Sequence, residues 1–288
     1  MEAKSILALA LTLASVPAIA EVDVKAASGL SLMQGVYDRH QQYPYVYEEQ
    51  SMVLIDREGN RETRKAKMYS RVESDHTQRV LLVFESPEDV KGVAVLAERS
   101  SDGVTTQSIY LPALGPQLVE NSGEVGDANF LGTDFSVENL TGEQLEDYDY
   151  VRRRDRMIND KMYCVVDVYA KGAPRDETPL RRHFVSQENL YLTRTDFFDD
   201  LGRIRKTQSH HDLTPVLGDM WRANMVLMEN RFSDHQTLIK IDRRVFSKDY
   251  VPMEVFTTDY LFSYSEPAAV EEVPDEEAEA ILMGEIAP

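Results

Sequence analysis

The side chains that could do covalent or acid–base chemistry in this sequence are few and poorly grouped. His210-His211-Asp212 is the one cluster of metal-ligating types. On a strand, adjacent side chains point to opposite faces, so its two imidazoles would not converge on an ion. Cys164 lies inside the apolar run Met162-Tyr163-Cys164-Val165-Val166 with no histidine nearby, the setting of a small buried hydrophobe rather than of a nucleophile. Asp199-Asp200 abuts Leu201-Gly202 and reads as a turn, not as the carboxylate pair of a glycosidase. The sequence has no Gly-x-Ser-x-Gly elbow, His-Glu-x-x-His helix, phosphate loop or Gly-x-Gly-x-x-Gly. No catalytic centre, metal or cofactor is expected from these residues.

What the sequence offers instead is apolar surface. Met52 and Leu54 face one way and Val53 and Ile55 the other, and Val80, Leu82 and Phe84 oppose Leu81 and Val83. A sheet wetted on one side would alternate more cleanly. The 11 methionines include Met225 and Met228 on one strand, and flexible thioethers suit irregular apolar cavities that accept variable ligands. Two readings fit equally well: a two-layer core with helices over the second face, or a cavity.

The elements that must position these residues are mostly strands. From Tyr45 to about Ala113 apolar or alternating runs are separated by turn signals. Ser51–Asp56 and Lys65–Val72 flank Glu58-Gly59-Asn60 and predict a hairpin, with Ala66, Met68, Ser70 and Val72 on one face. Gln78–Glu85, Gly92–Glu98 and Thr105–Leu111 continue the meander. Between Pro112 and Tyr148 the chain is rich in Gly, Pro, Asn and Asp, with isolated Phe130, Leu131, Phe135 and Leu140 as apolar anchors. A long loop with such anchors is expected to fold back on the body, and its end, Thr141–Tyr148, could carry helical turns. Strands resume at Tyr148–Arg154, Lys161–Tyr169, Leu180–Val185, Leu190–Phe198, Arg203–Thr207, Ala223–Asn230 and Thr237–Val245. Helix is expected only at Ala27–Gln41 and in a short turn near Val255–Leu261. The fold class is therefore mainly β with a few helices, built as one curved, mostly antiparallel sheet.

Charge and termini bound the surroundings. The 288 residues carry 31 Lys+Arg against 50 Asp+Glu, a net charge of −19, which excludes nucleic acid as a partner because counterion release needs clustered cations. Residues 1–20 place Lys4 ahead of an apolar stretch and end on Ala18-Ile19-Ala20, the pattern of a signal peptide. A single cysteine permits no internal disulfide, which suits an exported Gram-negative periplasmic protein, soluble after signal cleavage, better than a secreted eukaryotic one. Residues 21–265 are expected to form one domain. Residues 266–288 carry acids and no base and are expected to be a disordered tail.

The stretch Asn129-Phe-Leu-Gly-Thr-Asp-Phe-Ser-Val-Glu-Asn-Leu140, preceded by Ser108–Leu114 and followed by Tyr148-Asp149-Tyr150, resembles the signature region of bacterial outer-membrane lipoprotein-sorting proteins. Tyr191–Lys206, Gly218–Asn230 and Thr237-Leu238-Ile239 are similar to later strands of the same family, so that the resemblance runs from about Gly29 to Leu261. It implies a LolA-like fold, an unclosed antiparallel β-barrel whose concave apolar face is lidded by helices and a loop and holds acyl chains. The branch it is similar to accompanies resistance-nodulation-division-type inner-membrane exporters. On that basis the chain is expected to be a non-enzymatic, monomeric carrier of lipid, glycolipid or lipoprotein acyl chains. The alternatives are an accessory subunit of an exporter that carries nothing, and a hydrolase. The expected cavity lining is Met52, Leu54, Leu82, Phe84, Val95, Ile109 and Leu111 with Met225 and Leu227; the expected lid is Phe130, Leu131, Phe135 and Leu140, hinged at Gly132 with Asp134 capping the turn that follows.

Overall fold

The computed structural model describes residues 23–112, 118–120 and 129–263. The expected leader and acidic tail lie outside the described residues, as does Ala113. The strands are β1 (Tyr45–Ile55), β2 (Arg61–Val72), β3 (Gln78–Ser86), β4 (Ala94–Arg99), β5 (Thr105–Tyr110), β6 (Leu118–Glu120), β7 (Tyr148–Arg152), β8 (Arg156–Ile158), β9 (Lys161–Ala170), β10 (Arg181–Ser186), β11 (Leu192–Phe198), β12 (Ile204–Leu217), β13 (Met220–Asn230) and β14 (His235–Val245). The helices are α1 (Gly29–His40), α2 (Val137–Thr141) and α3 (Thr258–Ser263).

All strands join one antiparallel sheet in the order β6-β5-β4-β3-β2-β1-β14-β13-β12-β11-β10-β9-β7, with β8 pairing on β9. The two halves are meanders running outward from β1 and β14, which pair in the middle over Tyr47–Ile55 and Gln236–Val245. The fold is therefore a curved antiparallel sheet forming an unclosed, LolA-like barrel. This order has a consequence for the loop. Strands β6 and β7 are successive in the chain yet lie at opposite edges of the sheet, so the connection between them must travel from one edge to the other.

Local chemistry explains the elements. The β1–β2 hairpin closes at Asp56, whose Oδ1 accepts from the amides of Glu58 and Asn60 at 3.0 and 2.9 Å, with Gly59 at φ +83° where a side chain would be strained. Helix α1 starts at Ser28, whose hydroxyl accepts from Ser31 N–H at 3.1 Å. Gly29 lies so close to β7 that a Cβ there would sit 2.6 Å from the Tyr150 carbonyl oxygen. Strand β12 is longer than its apolar pattern suggests: it runs past His210-His211-Asp212 to Leu217, held by pairing with β13.

Both faces of the first meander are covered, which accounts for its two-sided apolar pattern. On the outer face, Leu81, Val83 and Ala94 pack with Tyr47, Tyr69, Val251, Val255, Phe256 and Leu261, so the segment leading into α3 forms that layer. The inner face is covered by α1 over β9 and β10, where Leu32 and Met33 meet Cys164, Val166, Val185 and Leu190, and by the 129–142 loop over β1–β4. Cys164 is free and fully buried beneath α1, and burial pushes its thiol pKa up.

Candidate functional site

The inner face of β1–β4 and β13–β14 carries one continuous apolar cluster. Met52, Leu54, Leu82, Phe84 and Val95 are buried in it, and Ile109 and Leu111 pack against it. Register explains the grouping: Met52 lies opposite Ile239, which pairs with Val226, and Leu82 lies between Met68 and Val95. Met225 and Leu227 are placed elsewhere. They form a separate cluster with Leu238 and Val53 on the outer face, and the inward side chains of β13 are Val226 and Met228.

The loop supplies the other side of this cluster. Phe130 and Phe135 are each 3% exposed within it, and Leu131 and Leu140 pack against its edge. The backbone turns between them, with Thr133 N–H and Oγ1 both donating to the Phe130 carbonyl and with Leu131 and Gly132 at φ +48° and +77°. Helix α2 is preceded by Ser136, whose amide donates to Asn139 Oδ1 at 2.8 Å. Asp134, expected to cap this turn, instead ties the loop to β14. Its amide donates to Thr237 Oγ1 at 3.0 Å, and its Oδ2 accepts from Thr237 Oγ1 at 2.8 Å and meets His235 Nδ1 at 2.5 Å. Lys206 Nζ donates to Asn129 Oδ1 at 2.6 Å and to the Asp134 carbonyl at 3.0 Å, and Arg64 donates to the Leu131 carbonyl at 2.6 Å. The loop thus meets the sheet through two phenylalanines and a set of polar ties.

Beside the loop, residues of α1, α2, β1–β3 and β10–β13 line an open cavity of about 370 Å³. Its lining mixes polar and apolar side chains, and the sequence did not single it out. One wall is an ion-pair group. Arg181 pairs with Glu138 at 2.9 Å and Glu143 at 3.2 Å and stacks over Tyr148, its guanidinium carbon 4.4 Å from the ring centre. Glu143 also accepts from Tyr150 and meets His183 Nε2 at 3.2 Å, while His183 Nδ1 lies 2.9 Å from Thr195 Oγ1. Burial alone would raise the Glu143 pKa; the His183 and Arg181 charges and these hydrogen bonds outweigh it and hold it at about 2. The opposite end holds Tyr191, His40, His210 and Arg222. His40 Nδ1 accepts from Trp221 N–H at 3.1 Å and Nε2 faces the Leu190 carbonyl at 3.2 Å, and burial lowers its pKa to about 4. Burial likewise lowers His210 to about 4. Met68, Leu140 and Phe197 line the flank where the cavity meets the apolar cluster.

His210 and His211 face opposite sides, the first into this cavity and the second toward Ser209 at 2.8 Å. Among the described residues no group of three or more His, Cys, Asp or Glu is placed to hold a metal ion.

A family model with the description "Uncharacterized protein" matches residues 76–263, more than half of the chain. Over 81% of its length the chain is similar to a putative outer membrane lipoprotein-sorting protein domain from Vibrio parahaemolyticus, at 21% identity and a TM-score of 0.73, covering 98% of that structure. The chain belongs to the family which that model describes, and its fold is LolA-like. Two further solved structures share this LolA-like architecture. A DUF1329 family protein from Desulfovibrio piger matches 81% of this chain and 99% of its own at 21% identity, with a TM-score of 0.70. A LolA superfamily protein from Nitrosomonas europaea matches 82% of this chain and 100% of its own at 17% identity, with a TM-score of 0.63. No curated protein matches the sequence. No helix among the described residues is long and apolar enough to cross a membrane.

Proposed function

We propose that the chain is a monomeric periplasmic carrier that holds the acyl chains of a lipid, glycolipid or lipoprotein between the concave sheet face and the 129–142 loop. The observation that supports this best is how the apolar inner face is covered. Phe130 and Phe135 of a connecting loop lie over Met52, Leu54, Leu82, Phe84 and Val95, and the loop is otherwise held by hydrogen bonds that water can replace. Swinging the two rings outward would open an apolar floor reaching Ile109 and Leu111. The conformation described is then the closed one. A bound chain would replace the phenylalanines, worth about 0.8 kcal/mol per buried CH₂ and roughly 10 kcal/mol for a typical tail before the costs of ordering. With a net charge of −19 the protein would be repelled by anionic bilayers, so cargo would arrive from an inner-membrane resistance-nodulation-division-type exporter rather than by spontaneous membrane docking.

One arrangement favours the second reading, a hydrolase: Glu143, His183 and Thr195 form a carboxylate–imidazole–hydroxyl relay of the type that activates nucleophiles. Against it, Thr195 sits mid-strand, paired with His183 on one side and Gln208 on the other, so its backbone is engaged in the ladder and is not free to form an oxyanion hole. Titration with a fluorescent fatty acid separates the two readings. The carrier reading expects saturable one-site uptake, reversed by unlabelled fatty acid, and no turnover of a p-nitrophenyl acyl ester. Ester hydrolysis abolished by Thr195→Val would establish the hydrolase instead.

A further inference from the structure

Among the described residues lining the cavity, Arg222 is a cation with no carboxylate in salt-bridge contact, Glu48 acting on it only through its field. Glu138 and Glu143 are bound by Arg181, and Glu48 is bound by Arg244 at 2.6 Å and Gln50 at 2.8 Å. Arg222, by contrast, has no carboxylate partner among the described residues. It donates one hydrogen bond, to the Trp221 carbonyl at 3.0 Å, and stacks loosely on Phe246. Four of its five N–H groups are left to face a partly buried site, and burial, with Arg244 nearby, pulls its pKa below the usual arginine value.

A neutral donor and an imidazole ring accompany it. Tyr191 accepts from Ala223 N–H at 3.3 Å, so its lone pair is engaged while its own O–H has no acceptor among the described residues. Tyr191 and Arg222 lie close enough that each shifts the proton affinity of the other. His210 packs edge-on against Tyr191, with ring centres 5.6 Å apart. Its Nε2 meets Gln208 Nε2 at 2.8 Å, and because an amide nitrogen only donates, the imidazole proton belongs on Nδ1. Nδ1 is fully buried, with the Leu192 backbone beside it. Tyr191, just ahead of β11, and Arg222, on β13, thus bring unpaired donors to the same cavity, and the His210 ring walls them.

From this we infer that the Arg222–Tyr191 end of the cavity, walled by the His210 ring, is a headgroup subsite for an anionic amphiphile, one phosphate group accepting from both side chains. Guanidinium pairs with phosphate through two parallel N–H bonds, which suits Arg222 better than a lysine would. The flank of Met68, Leu140 and Phe197 connects the subsite to the apolar floor, so the same molecule would place its headgroup in the cavity and its chain beneath the loop. The inference rests on the carrier reading for the chain and on the surplus donors for the headgroup.

Calorimetric titration of the full chain with three probes tests it: dodecyl phosphate, the uncharged dodecyl octaethylene glycol ether, both below micelle formation, and inorganic phosphate. Dodecyl phosphate is expected to bind at least tenfold more tightly than the ether. Arg222→Gln should erase that preference while leaving ether binding within about twofold, and Arg222→Lys should restore part of it. Tyr191→Phe provides an independent variant with a several-fold loss for dodecyl phosphate alone. Equal affinity for the two amphiphiles, or a preference that survives in a folded Arg222→Gln protein, overturns the headgroup assignment and leaves the carrier reading standing. Inorganic phosphate bound while both amphiphiles are refused overturns both, leaving a site for the free anion.

Discussion

His40 sits where α1 meets the cavity, neutral because burial, with Arg222 and Arg39 nearby, disfavours the cation and outweighs the hydrogen bond to the Leu190 carbonyl, while Nδ1 accepts from Trp221 N–H. Its pKa falls from 6.5 unfolded to about 4 folded, so between those values the unfolded chain binds more protons. Stability is then complete above pH 6.5 and is lost as pH drops toward 4. The expected cost at pH 5 relative to pH 7 is about 2 kcal/mol from this residue. Urea denaturation of His40→Gln, whose amide can serve the same backbone partners, should show a visibly flatter pH dependence; an unchanged slope would mean the imidazole is not kept neutral. Residues of this kind are not legible in a sequence, because a histidine ending a helix gives no sign that Trp221 and Leu190 will face it. The parity of β13 is equally hidden. Its run Met225-Val226-Leu227-Met228 is apolar at every position, and only pairing with β14 decides that Val226 and Met228 face inward.

At the scale of elements, the loop is the part whose role depends most on how it is held. Thr237 is fully buried and exchanges two hydrogen bonds with Asp134. Thr237→Val keeps the shape and removes both, leaving a buried amide unpaired at a cost of about 1–3 kcal/mol. If the loop opens independently of the sheet, hydrogen exchange of residues 129–142 should quicken tenfold or more while amides of β2, β3 and β13 change little. Uniform loss of protection would make the loop an inseparable piece of core. Its apolar anchors were readable because Phe130 and Phe135 stand out in a polar segment. The turn chemistry was not: Asp134 followed by Phe135 and Ser136 looks like a cap, yet the carboxylate is claimed by His235 and Thr237, about a hundred residues away in sequence. The outer layer was hidden for a similar reason. Val251, Val255, Phe256 and Leu261 are too irregularly spaced to announce a covering segment, so the two-sided pattern of β1–β4 fitted a cavity and a second layer alike; in the structure packed segments cover both faces, and the cavity lies beside them with a different lining.

At the scale of the molecule, the strand order makes the open barrel and its cover one design. Because β1 and β14 pair at the centre and β6 and β7 end at opposite edges, the connection has to run from one edge to the other, and its described part, residues 129–142, packs on the inner face. The alternating strands and their turns made the sheet legible; the cavity was not, since Arg181 and His183 come from β10, Tyr191 from the turn before β11, His210 from β12 and Arg222 from β13, and they meet only through register. The central claim is that this cavity and the apolar floor beside it carry an amphiphile. Native mass spectrometry of the full chain, purified without detergent from Gram-negative cells, tests it most directly. The account predicts a fraction of molecules heavier by the mass of a single lipid, released by a moderate rise in collision energy and replaced when fatty acid is added. Protein that carries no lipid from cells and accepts none in solution would contradict it.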